Sequence, residues 1–194
     1  MDVFTLGGGK LLPAPEVQLK NQVLFFDNKV DQGKESDFEF PTREFLEESK
    51  RPESVSLKTI QVDFNCNVQV KSLSGISMTL SNEEESCKIS AQTGDSELRS
   101  KVYQIDANRK IAKVGLARKK NLTCGISAIY FYDKNGAELF SYCPGGSYHK
   151  KFGDSLYEEQ EVPEGEELIG FHGIKNNKQF LPKIGLVTKS VKTL

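Results

Sequence analysis

Three pairs of short aliphatic segments constrain the fold of this chain more than any other feature of its sequence. The leading aliphatic residues of the pairs lie 16, 15 and 16 positions apart, at 60 and 76, 111 and 126, and 168 and 184. Successive pairs begin 51 and 57 positions apart. A near-constant spacing of this kind is typical of chains that repeat one small supersecondary unit.

The repeated segments have the pattern of β-strands. From residue 53 onward, short β-prone runs are separated by polar, glycine-containing turns, without helical periodicity. Runs such as 59–64 and 126–132 alternate apolar and polar residues, as strands with one buried face do. The segments 87–105 and 138–162, which lie between the pairs, are each long enough for two further strands. At 133–136, Asp-Lys-Asn-Gly predicts a tight type I′ hairpin turn.

These patterns predict an all-β domain built from three units of about four strands. A four-stranded unit cannot bury its inner face alone, so three units most simply pack around a pseudo-threefold axis and share one core. The alternative is a β-sandwich whose hairpins are similar by accident.

Residues 1–52 differ in character from the remainder. They hold 10 acidic and 7 basic residues, four of the seven prolines and a triple-glycine start. We interpret them as an extended N-terminal arm, with the domain over 53–194. Within the arm we expect a short strand at 23–26 and a two-turn helix at 42–50 that ends before Pro52. Its apolar anchors suit binding to a partner protein. They are Phe4, Leu11, Leu12, Phe25, Phe26, Phe38, Phe40 and Phe45.

The C-terminal end carries a family resemblance. Residues 167–173, Glu-Leu-Ile-Gly-Phe-His-Gly, are followed by Phe-Leu at 180–181 and by Ile-Gly-Leu at 184–186. This series resembles the C-terminal end of jacalin-type lectins, and the resemblance covers residues 53–194. It implies a β-prism of three Greek-key sheets.

The resemblance also implies where a sugar would bind and why that site is altered here. In this family a G-x-x-x-D motif, in the loop after the glycine-ended strand, hydrogen-bonds sugar hydroxyls. Aligning the Phe-Leu pair at 180–181 places Lys178 at the glycine position and Pro182 at the aspartate position. Proline supplies neither a carboxylate nor an N–H. We therefore expect the usual sugar site of the family to be absent.

Two functions are compatible with these observations. The first is a non-catalytic interaction module that docks through its arm and loops into a larger protein assembly, for example a cytoskeletal one. The second is a lectin-like protein that binds carbohydrate at a non-standard site. The candidate ligand residues for such a site lie in two loop regions. They are Gly173, Asn176, Asn177 and Lys178, together with Gly145, Gly146 and Tyr148.

Charge gives little support for a nucleic-acid partner. The chain has 26 basic and 27 acidic residues and a net charge of −1, so no overall field attracts a polyanion. Six positive residues cluster at 109–120 and six glutamates at 158–167. Such clusters either form solvated loops or dock onto a charged protein surface, for example an acidic tubulin tail.

Other chemistry is not predicted. We expect no enzymatic activity and no catalytic residues, because neither histidine, His149 or His172, lies near a nucleophile motif. The four cysteines are 21, 37 and 19 positions apart, without the close pairs of zinc or redox sites, so we expect free thiols, no metal and no cofactor. The absence of a secretory signal or a long apolar run predicts no membrane span and a cytoplasmic location.

Overall fold

The structure is a computed structural model, and it describes residues 16–26, 35–49, 52–66, 72–80, 86–90, 98–106, 108–119, 125–144, 155–176 and 181–192. Sheet I contains β3 (Leu57–Asn65), β4 (Ser72–Leu80), β5 (Ser86–Ser90) and β6 (Leu98–Gln104). Sheet II contains β7 (Lys113–Lys119), β8 (Ala128–Tyr132), β9 (Glu138–Tyr142) and β10 (Ser155–Glu161). Sheet III contains β1 (Glu16–Asn21), β2 (Glu35–Phe40), β11 (Glu166–Asn176) and β12 (Lys183–Lys192). Helix α1 (Arg43–Glu48) and a 3-10 turn (Pro52–Ser54) connect sheet III to sheet I.

The predicted repeat is confirmed, because each sheet is built on one antiparallel central pair. These pairs are β3–β4, β7–β8 and β11–β12. The strand orders are β5-β4-β3-β6, β10-β7-β8-β9 and β1-β12-β11-β2. The structure therefore has the predicted all-β organisation in three sheets, and the two-layer sandwich is excluded. All six aliphatic residues that define the repeat are buried: Ile60, Ile76, Ile111, Ile126, Leu168 and Ile184.

One apolar core joins the three sheets. Phe64, Phe131 and Phe171 come from sheets I, II and III in turn, and each is 0% exposed. Burying an aromatic side chain of this size stabilises the fold by about 1.5–3 kcal/mol. Since a single cluster takes residues from every sheet, each sheet depends on the other two for the burial of its inner face.

Sheet III takes both of its outer strands from the N-terminal segment. β1 pairs with β12 from Glu16↔Lys192 to Asn21↔Val187, and β2 pairs with β11 from Phe171↔Phe40 to Asn176↔Glu35. The segment that we interpreted as an extended arm therefore contributes two strands to sheet III. The reason is that β11 and β12 need partners on both sides, and these strands satisfy their backbone groups. The boundary at residue 52 stays a prediction.

The secondary structure predicted for this N-terminal segment is confirmed only in part. The helix expected at 42–50 is confirmed as α1, and the hydroxyl of Thr42 caps it by accepting from the Phe45 N–H at 3.2 Å. The strand expected at 23–26 is wrong. Phe26 has a φ of 57°, and the chain turns there, although Phe25 still donates to the Ile184 carbonyl at 2.8 Å.

The hairpin between β8 and β9 is confirmed, but its turn type is not. Gly136 has a φ of 77°, whereas Asn135 does not have the positive φ that a type I′ turn needs. The Asp133 carboxylate accepts from the N–H groups of Asn135 and Ala137, both at 2.9 Å. These two hydrogen bonds stabilise a loop that is wider than a two-residue turn. The pairing of β8 with β9 shifts register beside Tyr132.

Two residues of the basic cluster pair with glutamates of the acidic cluster. Lys113 lies 3.2 Å from Glu159 on the neighbouring strand β10, and Lys110 lies 3.3 Å from Glu167. Exposed pairs of this kind add about 0–1 kcal/mol each. Their main consequence is electrostatic, because charges that neutralise one another locally offer less attraction to a polyanionic partner.

A chain that begins at residue 41 is expected not to fold. It lacks β1, β2 and the buried Phe25 and Phe26, and loss of one buried phenylalanine alone costs about 3–5 kcal/mol out of a total of about 5–15 kcal/mol. Near-ultraviolet circular dichroism and thermal unfolding measure the effect. A chain that begins at residue 16 keeps both strands and serves as the control. A cooperative transition with native near-ultraviolet signal in the shorter chain would contradict the role of β1 and β2.

Candidate functional site

The candidate site is a cleft of about 390 Å³ on sheet III. It opens on the strand face opposite to the buried Phe171. We call it the sheet III cleft. Its described lining residues are Asn21, Leu24, Asp37, Phe38, Glu39, His172, Gly173 and Ile174.

The strand register explains why these side chains converge. His172 pairs with Glu39 on one side and with Gly185 on the other. Ile174, two positions on, pairs with Asp37. Directly paired residues point to the same face of a sheet, and so do residues two apart in one strand. Asp37, Glu39 and His172 therefore share one face, with Ile174 beside them.

His172 is held in one orientation by the backbone. Its Nε2 lies 2.7 Å from the carbonyl oxygen of Gln22, which only accepts hydrogen bonds, so Nε2 carries a proton. In the neutral ring this leaves Nδ1 as an acceptor. A Cβ at Gly185 would lie 2.3 Å from the same Nε2. Gly185 therefore makes room for the imidazole between β11 and the segment that follows β1.

Two carboxylates supply most of the polar character of the cleft. Asp37 and Glu39 are exposed and stand two positions apart on the edge strand β2, which separates their Cα atoms by about 7 Å. Exposed carboxylates accept hydrogen bonds from hydroxyl or ammonium groups of a ligand. In the described ranges no group of three or more His, Cys, Asp or Glu side chains is placed to hold a metal ion.

A second and larger cavity adjoins the first. It has a volume of about 700 Å³ and lies between β1 and α1, and we call it the α1 groove. Asn21 and Glu39 line both cavities. Its other described lining residues are Glu16, Val17, Gln18, Leu19, Arg43, Leu46, Glu47 and Pro52.

Polar contacts at one end of sheet III fix the β1 wall of these cavities. Glu166 accepts hydrogen bonds from Lys20 and from the Thr188 hydroxyl, and Gln22 donates to that hydroxyl at 2.9 Å. Burial raises the pKa of Glu166, but the hydrogen bonds from Lys20 and Thr188 and the charge of Lys20 lower it, and the net effect is a pKa below the ordinary value of 4.5. The carboxylate is therefore ionised in the folded protein and ties β1 to β11 and β12.

A buried lysine fixes the connection beyond α1. Lys189 on β12 is 3% exposed, and its Nζ donates to the Glu53 carbonyl at 3.0 Å and to the Val55 carbonyl. Burial lowers the pKa of Lys189. These two hydrogen bonds hold the segment after α1 against β12, and so position the helix that forms one side of the α1 groove.

Of the predicted ligand residues, Gly173 lies in the cleft. A Cβ there would lie 2.1 Å from the Lys183 carbonyl oxygen, so the residue must be glycine for β11 and β12 to approach. Asn176 ends β11. The remaining predicted ligand residues lie outside the described residues: Asn177, Lys178, Gly145, Gly146 and Tyr148.

The predicted partner-binding residues need correction where the structure describes them. Phe25 and Phe26 are 0% and 4% exposed and belong to the core of this chain, so they offer no surface to a partner. Phe40 and Phe45 contact each other with ring centroids 5.0 Å apart and pack against that core, as does Phe38. The other three predicted anchors, Phe4, Leu11 and Leu12, lie outside the described residues.

The polar residues of the cleft were not predicted from the sequence as a site. The run Asp37-Phe38-Glu39-Phe40 does carry a usable signal, because its alternation predicts a strand with one polar and one apolar face. The sequence gives no such signal for His172, which lies near no nucleophile motif. Only the register of β2 against β11 shows that the imidazole and both carboxylates share a face.

Comparisons with known proteins identify the fold but no close relative. No protein-family model matches the chain, and no curated protein matches it. Among solved structures, single-chain recombinant jacalin has a TM-score of 0.54 at 12% identity, over 88% of this chain and 94% of jacalin. Frutapin, a lectin from Artocarpus incisa, has a TM-score of 0.53 at 15% identity, over 88% of this chain and 97% of its own.

A third neighbour was solved with a bound glycan. The Calsepa lectin in complex with a biantennary N-glycan has a TM-score of 0.50 at 11% identity, over 92% of this chain and 98% of the lectin. At these identities the similarity shows the fold, and the chain has the jacalin-like β-prism fold that its C-terminal segments resemble.

Two further predictions from the sequence concern the cysteines and membrane-spanning segments. The thiols of Cys66 and Cys143 are free and half-buried, as expected, whereas the side chains of Cys87 and Cys124 are not described. Within the described ranges, no helix combines the length and the apolar character needed to cross a bilayer.

Replacing Gly185 by alanine should displace His172 from the Gln22 carbonyl. The new methyl group would clash with Nε2, and overpacking of this kind costs about 1–3 kcal/mol. Long-range ¹H–¹⁵N spectra of the imidazole report the protonated Nε2. Gly136→Ala is the control, because it strains a turn with a φ of 77° but has no atom within 4 Å of the added methyl. An unchanged imidazole spectrum in Gly185→Ala would contradict this arrangement.

Acid should weaken the fold through Glu166. Because its folded pKa is lowered, the stabilisation is present above the ordinary value of 4.5 and is lost as the pH falls through the folded pKa. Glu166→Gln should therefore cost about 1 kcal/mol at pH 7, with allowance for the solvent around Lys20, and this difference should shrink in acid. Urea unfolding at several pH values measures it. Glu161→Gln, at a side chain that is 79% exposed, is the control and should show little change.

Proposed function

We propose that this protein is a non-catalytic, lectin-like carbohydrate-binding protein whose sugar site is the sheet III cleft. The observation that carries the proposal is the convergence of Asp37, Glu39 and His172 on one face of sheet III, beside Asn21 and the apolar Leu24 and Ile174. This position differs from the loop in which the jacalin-type motif binds sugar.

The groups in the cleft match what a sugar offers. A pyranose presents hydroxyl groups, each of which donates and accepts, and an apolar face of C–H groups. Asp37 and Glu39 accept from hydroxyls, and the Asn21 side chain both donates and accepts. Leu24 and Ile174 offer apolar contact to the ring face. Hydrogen bonds to ionised groups contribute about 1.5–3 kcal/mol each, so two carboxylates account for much of the affinity expected for a small sugar.

Proteins of the same fold also support carbohydrate as the ligand. Frutapin is described as a lectin, and Calsepa was solved with a biantennary N-glycan. A β-prism is therefore a scaffold on which carbohydrate sites occur. Since the aspartate of the family motif is replaced by Pro182, we place the site on residues that this chain itself provides.

The arrangement favours binding without hydrolysis. Glycosidases also use two carboxylates, but one of them must remain protonated as a general acid, which requires an apolar pocket. Asp37 and Glu39 are both exposed to solvent on an edge strand. Neither therefore has the surroundings of a general acid.

Docking into a larger protein assembly, cytoskeletal or other, stays a prediction, as does a cytoplasmic location. We favour carbohydrate because β1, β2 and Phe25 are already used within this chain. Lys110 and Lys113 of the basic cluster also pair within this chain, with Glu167 and Glu159 of the acidic cluster.

A glycan array followed by calorimetric titration tests the proposal. The wild-type protein should bind at least one of the mannose-, galactose- or glucose-type ligands. Asp37→Asn combined with Glu39→Gln should weaken that binding at least tenfold, which corresponds to the loss of about 1.4 kcal/mol or more.

The control variant is Glu138→Gln, which removes an exposed carboxylate from β9 in sheet II. It should bind like the wild-type protein. No binding to any array glycan, or equal binding by the cleft variant and the wild-type protein, would contradict the proposal.

A further inference from the structure

The two cavities on sheet III form one continuous furrow. Asn21, at the end of β1, and Glu39, on β2, line both of them. The furrow therefore runs from Ile174 on β11, past Asn21 and Glu39, to α1 and Pro52. The part along β1 alone, from Glu16 to Asn21, is about 17 Å long. A single sugar ring in the sheet III cleft would leave the α1 groove empty.

The α1 groove has the mixed lining of a binding surface. Val17 and Leu19 are partly buried and offer apolar surface along β1. The opposite side carries Arg43 and Glu47, whose side chains are 85% and 65% exposed and form an ion pair of 2.9 Å. Cavities of about 300–1,000 Å³ that combine apolar surface with a few polar groups are typical of ligand sites. The groove, at about 700 Å³, is larger than the cleft.

The charge of the residues that line the furrow restricts which ligands can bind there. Four carboxylates line it, from Glu16, Asp37, Glu39 and Glu47, against the single guanidinium of Arg43 among the described lining residues. Arg43 is engaged with Glu47. A polyanionic chain such as a uronate or sulfated glycan would therefore be repelled along the whole length.

We infer that the ligand is an extended, uncharged oligosaccharide, with one end in the sheet III cleft and the following sugar residues in the α1 groove. This inference rests on the proposed function and adds the length and the charge of the ligand. Asn21 and Glu39, at the junction, contact the sugars on either side of it.

Titration with sugars of increasing length tests the inference. The probes are glucose-, mannose- and galactose-based oligomers of one to six residues, with hexagalacturonate as the charged counterpart of the galactose hexamer. In the series that binds, affinity should rise at least tenfold from the monosaccharide to the hexasaccharide. Hexagalacturonate should bind at least tenfold more weakly than the best neutral hexamer.

Variants on α1 separate the two halves of the furrow. Arg43→Ala combined with Glu47→Ala should lower the affinity for the hexasaccharide severalfold but leave monosaccharide affinity unchanged. Both side chains are exposed, so the fold should be retained. The matched control is Lys134→Ala combined with Glu138→Ala, at two exposed positions around the β8–β9 turn. It should change neither affinity.

The outcomes are distinguishable from those that test the proposed function. If sugars bind and the Asp37/Glu39 variant abolishes binding, but monosaccharide and hexasaccharide bind equally, the extended ligand is ruled out and the cleft remains. Equal binding of hexagalacturonate and the neutral hexamer contradicts the charge selection. If no sugar binds at any length, or if only basic peptides bind, both proposals fail.

Discussion

A single apolar core takes residues from all three sheets, and this constraint determines how the N-terminal part of the chain is used. β11 and β12 can contribute Phe171 and Leu186 to the common core only if their outer edges are also paired. β1 and β2 provide that pairing from the N-terminal part of the chain. The Glu166 contacts with the half-exposed Lys20 and the buried Thr188 then hold β1 in place.

The same pairing creates the candidate site. Because β1 and β2 lie on opposite edges of sheet III, the strand face between them becomes the floor of a furrow. The chain after β1 crosses over Gly185 and accepts a hydrogen bond from His172. The chain after β2 turns into α1, which is held through Lys189 and the Glu53 and Val55 carbonyls. The fold therefore produces the walls of the furrow as a consequence of completing its third sheet.

The sequence predicted the three sheets because their signal is local. The spacing of the aliphatic residues within each hairpin directly indicates the central strand pair. Thr42, the residue before Arg43, indicates the start of α1. The outer strands of sheet III were interpreted as an arm, because the residues they pair with lie 131 to 176 positions away and no local pattern indicates such pairing. For the same reason the convergence of Asp37, Glu39 and His172 was not predicted. The positive φ of Phe26, which ends the β-prone run at 23–26, likewise accompanies a contact distant in sequence, since its N–H donates to the Glu158 carboxylate at 2.8 Å.

The most direct measurement is a crystal structure of the protein with the oligosaccharide that binds best. We expect electron density for sugar rings on sheet III, with hydroxyls within hydrogen-bond distance of Asp37 and Glu39 and with further rings toward Arg43 and Glu47. Sugar density at the loop between β11 and β12, or anywhere away from sheet III, would contradict it.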